Sequence, residues 1–303
     1  MTLLKGVVVP MVTALKRGSQ DKISEVGVEK LCNFFISKGV HALFPCGTTG
    51  EGFLLSNEVR KELASLVVKK VNERVPVVIQ TGCIDTKSTI ELTKHARDIG
   101  ADGAAVISPY FYRYDFDSLK DHFVNVARSV PEFPIYLYNI PNNTNNDITP
   151  DLLKSIIDET DNVVGIKYSH FDLRRIPDYC NYLGENRVFL IGNDQLIYPS
   201  YVLGASGCVS GNANVFPEPF VRLYNAFLNR DYIEAKKQQN LITKIANALK
   251  KGAHICYYKT ALQFRGIDVG DVVPPQKYLN EKETKNLYQE LKKLGLPLGN
   301  PVY

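Results

Sequence analysis

The chain has 303 residues, of which 45% are hydrophobic and 22% are charged, and its formal net charge is +4. This composition excludes a disordered chain, which has fewer hydrophobic residues and a larger net charge. The small excess of positive charge is spread along the chain and does not indicate a nucleic acid or an anionic membrane as partner.

The sequence predicts a cytoplasmic protein without a metal or a cofactor. Its first residues form a short apolar run that Pro10 interrupts, whereas a signal peptide has a longer one. No stretch reaches the ~18 apolar residues that a membrane helix needs. The six cysteines contain no CxxC pair, which is typical of free thiols in a reducing compartment, and the five histidines have no metal-ligand spacing.

Eight short apolar segments are predicted to be strands. They are rich in Val, Ile and Tyr and rarely alternate with polar residues, as in parallel strands that are covered on both faces. The segments are 6–12, 41–46, 76–82, 103–108, 134–140, 163–169, 187–192 and 206–211. Amphipathic stretches between them, such as 24–39, 56–73 and 86–100, predict helices, and Ser56 and Asp151 are expected to cap their helices.

Strands that alternate with helices over about 230 residues predict a (β/α)8 barrel, or TIM barrel. An open doubly wound sheet is the alternative, but no glycine-rich nucleotide turn follows the first strand. Beyond residue 230 the strand pattern stops, and 231–252, 255–266 and 281–295 predict helices. We therefore expect a catalytic barrel domain over residues 1–230 and a C-terminal helical extension over residues 231–303.

In a TIM barrel the catalytic groups lie where the strands end at their C-terminal side. Lys167 ends the sixth predicted strand, so its amine is expected to point into the barrel mouth. Apolar walls lower the pKa of such a lysine, and the free amine can attack a ketone to form a Schiff base. The alternative is a solvated lysine at a strand end.

Two further segments are expected to reach the same mouth. Tyr138 ends the fifth strand, where its phenol can move a proton beside a Schiff base; the alternative is a core aromatic residue. The segment 47–52, GTTGEG, places two hydroxyls and several backbone N–H groups before a helix. It is suited to a small carboxylate, or is an ordinary turn.

Taken together, these motifs resemble the N-acetylneuraminate lyase / dihydrodipicolinate synthase superfamily of class I aldolases. The motifs are CGTTGEG after strand 2, YNIP at strand 5, GIK at strand 6, GASGCVSGNAN over 204–214 and VGDVVPPQKYL in the tail. The resemblance therefore covers nearly the whole chain.

The resemblance implies roles for four residues near the reacting carbons. Lys167 would be the Schiff-base nucleophile for pyruvate or another 2-keto acid, and Tyr138 the general acid/base. Thr48 would relay the proton of the tyrosine, and Thr49 with the loop amides would hold the carboxylate of the keto acid.

The resemblance also implies substrate contacts from Ser169, from Val209 beside the pyruvate and from Gly192 beside the substrate tail. It implies a homo-oligomer, a dimer or a tetramer, in which a tyrosine of a neighbouring subunit reaches the site.

Two positions depart from the family pattern. The neighbour's tyrosine would fall at Phe111, which cannot relay a proton; Tyr110 or Tyr112 could replace it, or the relay is absent or filled by water. The arginine that holds aspartate semialdehyde in dihydrodipicolinate synthases would fall at Asn143, which lacks the charge and the bidentate fork. We expect Asn143 to contact the substrate, and its uncharged loop is more similar to that of 2-keto-3-deoxygluconate aldolases.

We therefore expect a class I aldolase that reversibly cleaves a 2-keto-3-deoxy sugar acid to pyruvate and an aldehyde. Dihydrodipicolinate synthase, which condenses pyruvate with aspartate semialdehyde, is an alternative, and neuraminate lyase is a third possibility. A barrel that binds keto acids without catalysis is the alternative from another class, suggested by Phe111.

Overall fold

The computed structural model describes residues 3–252 and 254–299. Its strands are β1 (Gly6–Val9), β2 (Ala42–Leu43), β3 (Val78–Gln80), β4 (Gly103–Ile107), β5 (Ile135–Asn139), β6 (Val163–Tyr168), β7 (Val188–Ile191) and β8 (Gly207–Val209). They pair in parallel in the order β2-β1-β8-β7-β6-β5-β4-β3. A parallel bridge from Leu43 to Val77 joins the two ends of this order, so the sheet closes into a barrel.

Helices follow the strands and surround the barrel. They are α1 (Glu25–Ser37), α2 (Asn57–Val71), α3 (Thr86–Asp98), α4 (Phe116–Arg128), α5 (Pro141–Thr144), α6 (Pro150–Ile157), α7 (Ile176–Leu183), α8 (Ile197–Val202), α9 (Pro217–Leu228), α10 (Tyr232–Ala248), α11 (Ile255–Phe264) and α12 (Glu281–Lys293). The predicted (β/α)8 barrel followed by C-terminal helices is confirmed. Of the predicted extension, residue 253 and residues 300–303 lie outside the described part. None of the described helices is both long and apolar enough to cross a membrane.

The helix starts follow local capping rules. Ser56 accepts a hydrogen bond from the backbone N–H of Val59, as predicted for the cap of α2. The predicted cap Asp151 is wrong, because Thr149 caps α6 instead and Asp151 lies in its first turn. Pro150 explains the difference: proline favours the first helical position, where its missing N–H has no partner to lose, and the residue before it becomes the cap.

Two apolar layers hold the barrel together. In β4, Ala105 and Ile107 belong to the cluster inside the barrel, whereas Ala104 and Val106 belong to the layer between strands and helices. This alternation follows because successive side chains of a strand point to opposite faces. Large side chains such as Tyr136 fill the barrel interior, so the barrel is a packed core and not a pore.

Candidate active site

A cavity of about 290 Å³ lies at the C-terminal ends of the strands. The residues predicted to bind substrate or to catalyse that line it are Lys167, Tyr138, Thr48, Thr49, Ser169, Gly192 and Val209. They come from β5, β6 and β8 and from the segments that follow β2, β6 and β7. The fold therefore brings together side chains that are far apart in the sequence.

Lys167 lies at the buried bottom of this cavity. The parallel pairing of β5 with β6 places Tyr138 opposite Lys167, so both side chains point to the same face. The Nζ atom of Lys167 is 3.7 Å from the centre of the Tyr138 ring and 4.7 Å from that of Phe44. Burial lowers the pKa of Lys167, while Tyr138 and Asp194 act in the opposite direction. A lowered pKa increases the fraction of free amine, which is the nucleophilic form.

The hydroxyl of Tyr138 is connected to a tightly folded loop. Its Oη lies 3.2 Å from Oγ1 of Thr48, and either atom can donate the hydrogen bond. The loop carries left-handed backbone at Cys46 and Glu51, with φ of 64° and 57°. A Cβ at Gly52 would lie 1.9 Å from the carbonyl oxygen of Cys46, so only glycine fits there. Such a compact loop holds the Thr48 hydroxyl in place beside the phenol.

Two more hydroxyls and an apolar side chain surround the space near Lys167. A Cβ at Gly211 would lie 2.9 Å from Oη of Tyr258 and 3.2 Å from Oγ1 of Thr49. Glycine at this position therefore leaves both hydroxyls next to the open cavity. Val209, which ends β8 and is buried, adds an apolar wall. Hydroxyls beside an apolar wall can bind a small molecule that carries both a carboxylate and a methyl group.

A more polar part of the cavity follows β6 and β7. A Cβ at Gly192 would lie 2.1 Å from Oγ of Ser169, so glycine allows the ends of the two strands to approach closely. Asp194 accepts hydrogen bonds from Oγ of Ser210, at 2.8 Å, and from Nδ2 of Asn212. Burial raises the pKa of Asp194 to about 6, against the opposing effect of these two donors. This part of the cavity can hydrogen-bond the hydroxyl groups of a substrate.

Asn143 and the aromatic residues considered for the proton relay lie elsewhere. Asn143 is exposed on α5, and it is not among the residues that line the cavity. Phe111 has a left-handed φ of 78° and is 74% exposed, and Tyr112 is also exposed. Tyr110 packs against Phe53, with ring centres 5.2 Å apart. Within the described chain, none of the three aromatic residues 110–112 lines the cavity.

The cavity lining also contains residues that were not predicted, among them Asp194, Tyr258 and Lys251. Asp194 had a usable signal, because a carboxylate two positions after Gly192 lies where the seventh predicted strand ends. Tyr258 and Lys251 belong to the C-terminal extension, where the sequence carries no strand end to mark them.

The cavity carries few charges. Its charged lining residues in the described chain are Lys167, Asp194 and Lys251. Across residues 3–252 and 254–299, no group of three or more His, Cys, Asp or Glu side chains is arranged to hold a metal ion. Of the three charged side chains, Lys167 is the buried amine that can act as a nucleophile.

Comparisons with known proteins agree over almost the full length. Residues 3–294 match the Dihydrodipicolinate synthetase family. A 4-hydroxy-tetrahydrodipicolinate synthase of Syntrophobacter fumaroxidans is 32% identical over 295 residues, covering 97% of this chain and 100% of that protein. An uncharacterized DapA-like lyase of Halobacterium salinarum is 33% identical, covering 97% and 95%. The crystal structure of YagE, a prophage protein of the dihydrodipicolinic acid synthase family from E. coli K12 in complex with pyruvate, has a TM-score of 0.93 at 30% identity and covers 98% and 100%.

Proposed function

Because the chain belongs to the dihydrodipicolinate synthetase family and is a carbon–carbon lyase, we propose that it reversibly cleaves a 2-keto-3-deoxy sugar acid, such as 2-keto-3-deoxygluconate, to pyruvate and an aldehyde. The observation that carries this function is the buried amine of Lys167, which lies against Tyr138 at the bottom of a polar cavity. The pyruvate bound in the YagE crystal structure supports pyruvate as the shared product.

Lys167 and Tyr138 supply the groups that the reaction needs. The Nζ atom of Lys167 adds to the C2 carbonyl, and loss of water gives a protonated imine. Tyr138 takes the proton of the C4 hydroxyl, the C3–C4 bond breaks, and its electrons move to the imine nitrogen to give the enamine of pyruvate. The enamine then takes a proton at C3, and water hydrolyses the imine to release pyruvate. Thr48, 3.2 Å from the phenol, passes the proton between Tyr138 and the substrate side of the cavity.

The other cavity residues divide the substrate between them. Thr49 and the backbone N–H groups of its loop hold the carboxylate next to the ketone, and Val209 contacts the methylene at C3. Ser169, Gly192 and Asp194 face the hydroxyl-bearing half of the substrate. We assign no direct substrate contact to Asn143, because it is exposed outside the cavity.

Dihydrodipicolinate synthase activity is the second candidate. The names of relatives favour it, since several are called 4-hydroxy-tetrahydrodipicolinate synthase. Asn143 disfavours it, because an asparagine cannot form the charged bidentate contact that an arginine makes with a carboxylate. The carboxylate of Asp194 and the amide of Asn212, which both line the cavity, favour a hydroxylated aldehyde over aspartate semialdehyde.

Borohydride reduction in the presence of pyruvate tests the chemistry. We expect a reduced pyruvyl adduct that maps to Lys167 by peptide mass, that is absent in Lys167→Ala and that persists in Lys250→Ala, whose exposed lysine lies outside the cavity lining. Absence of the adduct while pyruvate still binds would overturn the imine mechanism and favour a barrel that only binds keto acids. Condensation of pyruvate with hydroxyaldehydes (glyceraldehyde, glyceraldehyde 3-phosphate and tartronate semialdehyde), compared with aspartate semialdehyde, then separates the two activities. A higher kcat/KM with aspartate semialdehyde than with each of the hydroxyaldehydes would contradict the sugar-acid assignment.

A further inference from the structure

We propose that Lys251 determines substrate specificity by binding an anionic group, a carboxylate or a phosphate, at the end of the aldehyde half farthest from the reacting carbons. This inference rests on the proposed function, because it requires the imine to form on Lys167 at the bottom of the same cavity. Lys167 is 5% exposed, whereas Lys251 is an exposed residue that lines the same cavity. Lys251 therefore lies at the rim, and the substrate extends from the buried amine towards it.

The backbone places Lys251 at this rim in an unusual way. Lys250, Lys251 and Gly252 form the short turn between α10 and α11, and all three have left-handed φ, at 54°, 52° and 74°. Left-handed backbone is unfavourable for residues with a Cβ, and it is retained where the surrounding structure imposes it, often at ligand-binding positions. A Cβ at Gly252 would lie 2.7 Å from Oη of Tyr258, so the turn packs directly on a residue that also lines the cavity.

The charges around the cavity leave Lys251 available for a ligand. The amine of Lys167 is used in the imine, and Asp194 already accepts hydrogen bonds from Ser210 and Asn212. The neighbouring Lys250 lies 3.8 Å from a carboxylate oxygen of Glu290. In the described part of the chain, no carboxylate forms an ion pair with Lys251. An ammonium group without a partner at the rim of a cavity attracts an anionic ligand.

The position of this charge selects the end of the substrate that it contacts. The carboxylate next to the ketone must lie near Lys167, where the hydroxyl of Thr49 and the loop amides are available. No arginine stands at position 143 to hold a second carboxylate close to the reacting carbons. A cation at the rim instead suits an anionic group at the opposite terminus. Among 2-keto-3-deoxy acids, those that end in a carboxylate or a phosphate are therefore preferred over 2-keto-3-deoxygluconate, which ends in a neutral hydroxymethyl group.

A set of three-carbon aldehydes tests this specificity in the condensation direction with pyruvate. Glyceraldehyde ends in a neutral hydroxymethyl group, glyceraldehyde 3-phosphate in a phosphate and tartronate semialdehyde in a carboxylate. The readout is the kcat/KM for each charged aldehyde divided by that for glyceraldehyde, measured in the wild type, Lys251→Gln, Lys251→Arg and Lys250→Gln. The wild type should prefer a charged aldehyde, and the preferred one identifies whether the anion is a phosphate or a carboxylate.

We expect Lys251→Gln to lower this ratio by about 10- to 100-fold, mainly through KM, because a hydrogen bond between charged groups is lost. Lys251→Arg should recover most of the ratio, and Lys250→Gln should leave it unchanged. A ratio that does not change in Lys251→Gln, or a wild type that prefers glyceraldehyde, would overturn the role of Lys251. Borohydride trapping of pyruvate on the wild type separates the two failures. An adduct without charge selectivity overturns only the role of Lys251, whereas no adduct overturns the proposed function itself.

Discussion

A buried ion pair connects the loop that carries Thr48 and Thr49 to the C-terminal extension, and we predict that breaking it destabilises the protein strongly. Oε2 of Glu51 lies 2.6 Å from Nζ of Lys259, and the two side chains are 0% and 3% exposed. Oε1 of Glu51 accepts hydrogen bonds from the backbone N–H of Val273, at 2.7 Å, and from Nε2 of Gln276, at 2.9 Å. Lys259 also donates to the carbonyl oxygen of Asp271. Glu51 lies two residues after Thr49, so this network also fixes the loop that carries both hydroxyls.

The expected cost follows from the burial of both charges. Removing one member of a buried pair leaves the other charge without compensation, which costs about 3–5 kcal/mol of unfolding free energy. Glu51→Gln keeps an oxygen for the Val273 N–H but leaves the Lys259 ammonium facing an amide, and Lys259→Met leaves the carboxylate unpaired. The double variant removes both charges, so its loss should be smaller than the sum of the single losses by about 2–3 kcal/mol. Urea unfolding at equal protein concentration measures all three values.

An exposed pair of the same length provides the control. Lys154 and Asp158 are also 2.6 Å apart, but their side chains are 49% and 57% exposed. Lys154→Met should therefore cost only about 0.3–0.5 kcal/mol. If Glu51→Gln and Lys259→Met cost no more than this control, or if their losses simply add in the double variant, burial of the pair does not stabilise the loop and the reasoning fails.

Two further predictions concern the chemistry of the cavity. Tyr138→Phe should lower kcat for cleavage by about 10²–10⁴-fold, because the ring still packs against Lys167 while the proton-transferring hydroxyl is lost. Borohydride trapping of this variant should still give the adduct on Lys167. Loss of the adduct would contradict the role of Tyr138 in the cleavage step. Burial raises the pKa of Asp194 to about 6, so the ionised carboxylate that accepts hydrogen bonds from substrate hydroxyls forms as the pH rises through about 6. We therefore expect kcat/KM with glyceraldehyde to rise across this range in the wild type and not in Asp194→Asn, and identical pH profiles would refute the assignment.

The parts of the fold that depend on local pattern could be predicted from the sequence. The barrel follows from apolar segments that alternate with helices, and the placement of Lys167 beside Tyr138 follows because adjacent parallel strands end on the same side. The strands themselves are shorter than predicted: β2 covers only Ala42–Leu43 of the predicted segment 41–46. Apolar character marks which residues are buried, but it does not mark where the ladder of hydrogen bonds ends.

Features that depend on distant contacts could not be predicted in this way. The side chain of Glu51, the glutamate in GTTGEG, forms its ion pair with Lys259, which lies in α11 and is far away in the sequence. The sequence predicts an uncharged loop around Asn143, but Pro141–Thr144 forms one helical turn, α5, because proline is favoured at the first helical position. Asn143 is exposed because of its position on this helical turn, and an asparagine in the sequence does not by itself indicate that position.

The site combines two sources of residues with different duties. Lys167 and Tyr138, to which we assign the bond-breaking step, lie on β6 and β5, where the pairing of the two strands fixes their relative positions. The extension adds the buried Tyr258 and the exposed Lys251 to the same cavity. The extension therefore contributes to the candidate cavity, and we predict that Lys251, at the rim of this cavity, decides which aldehyde the chain accepts.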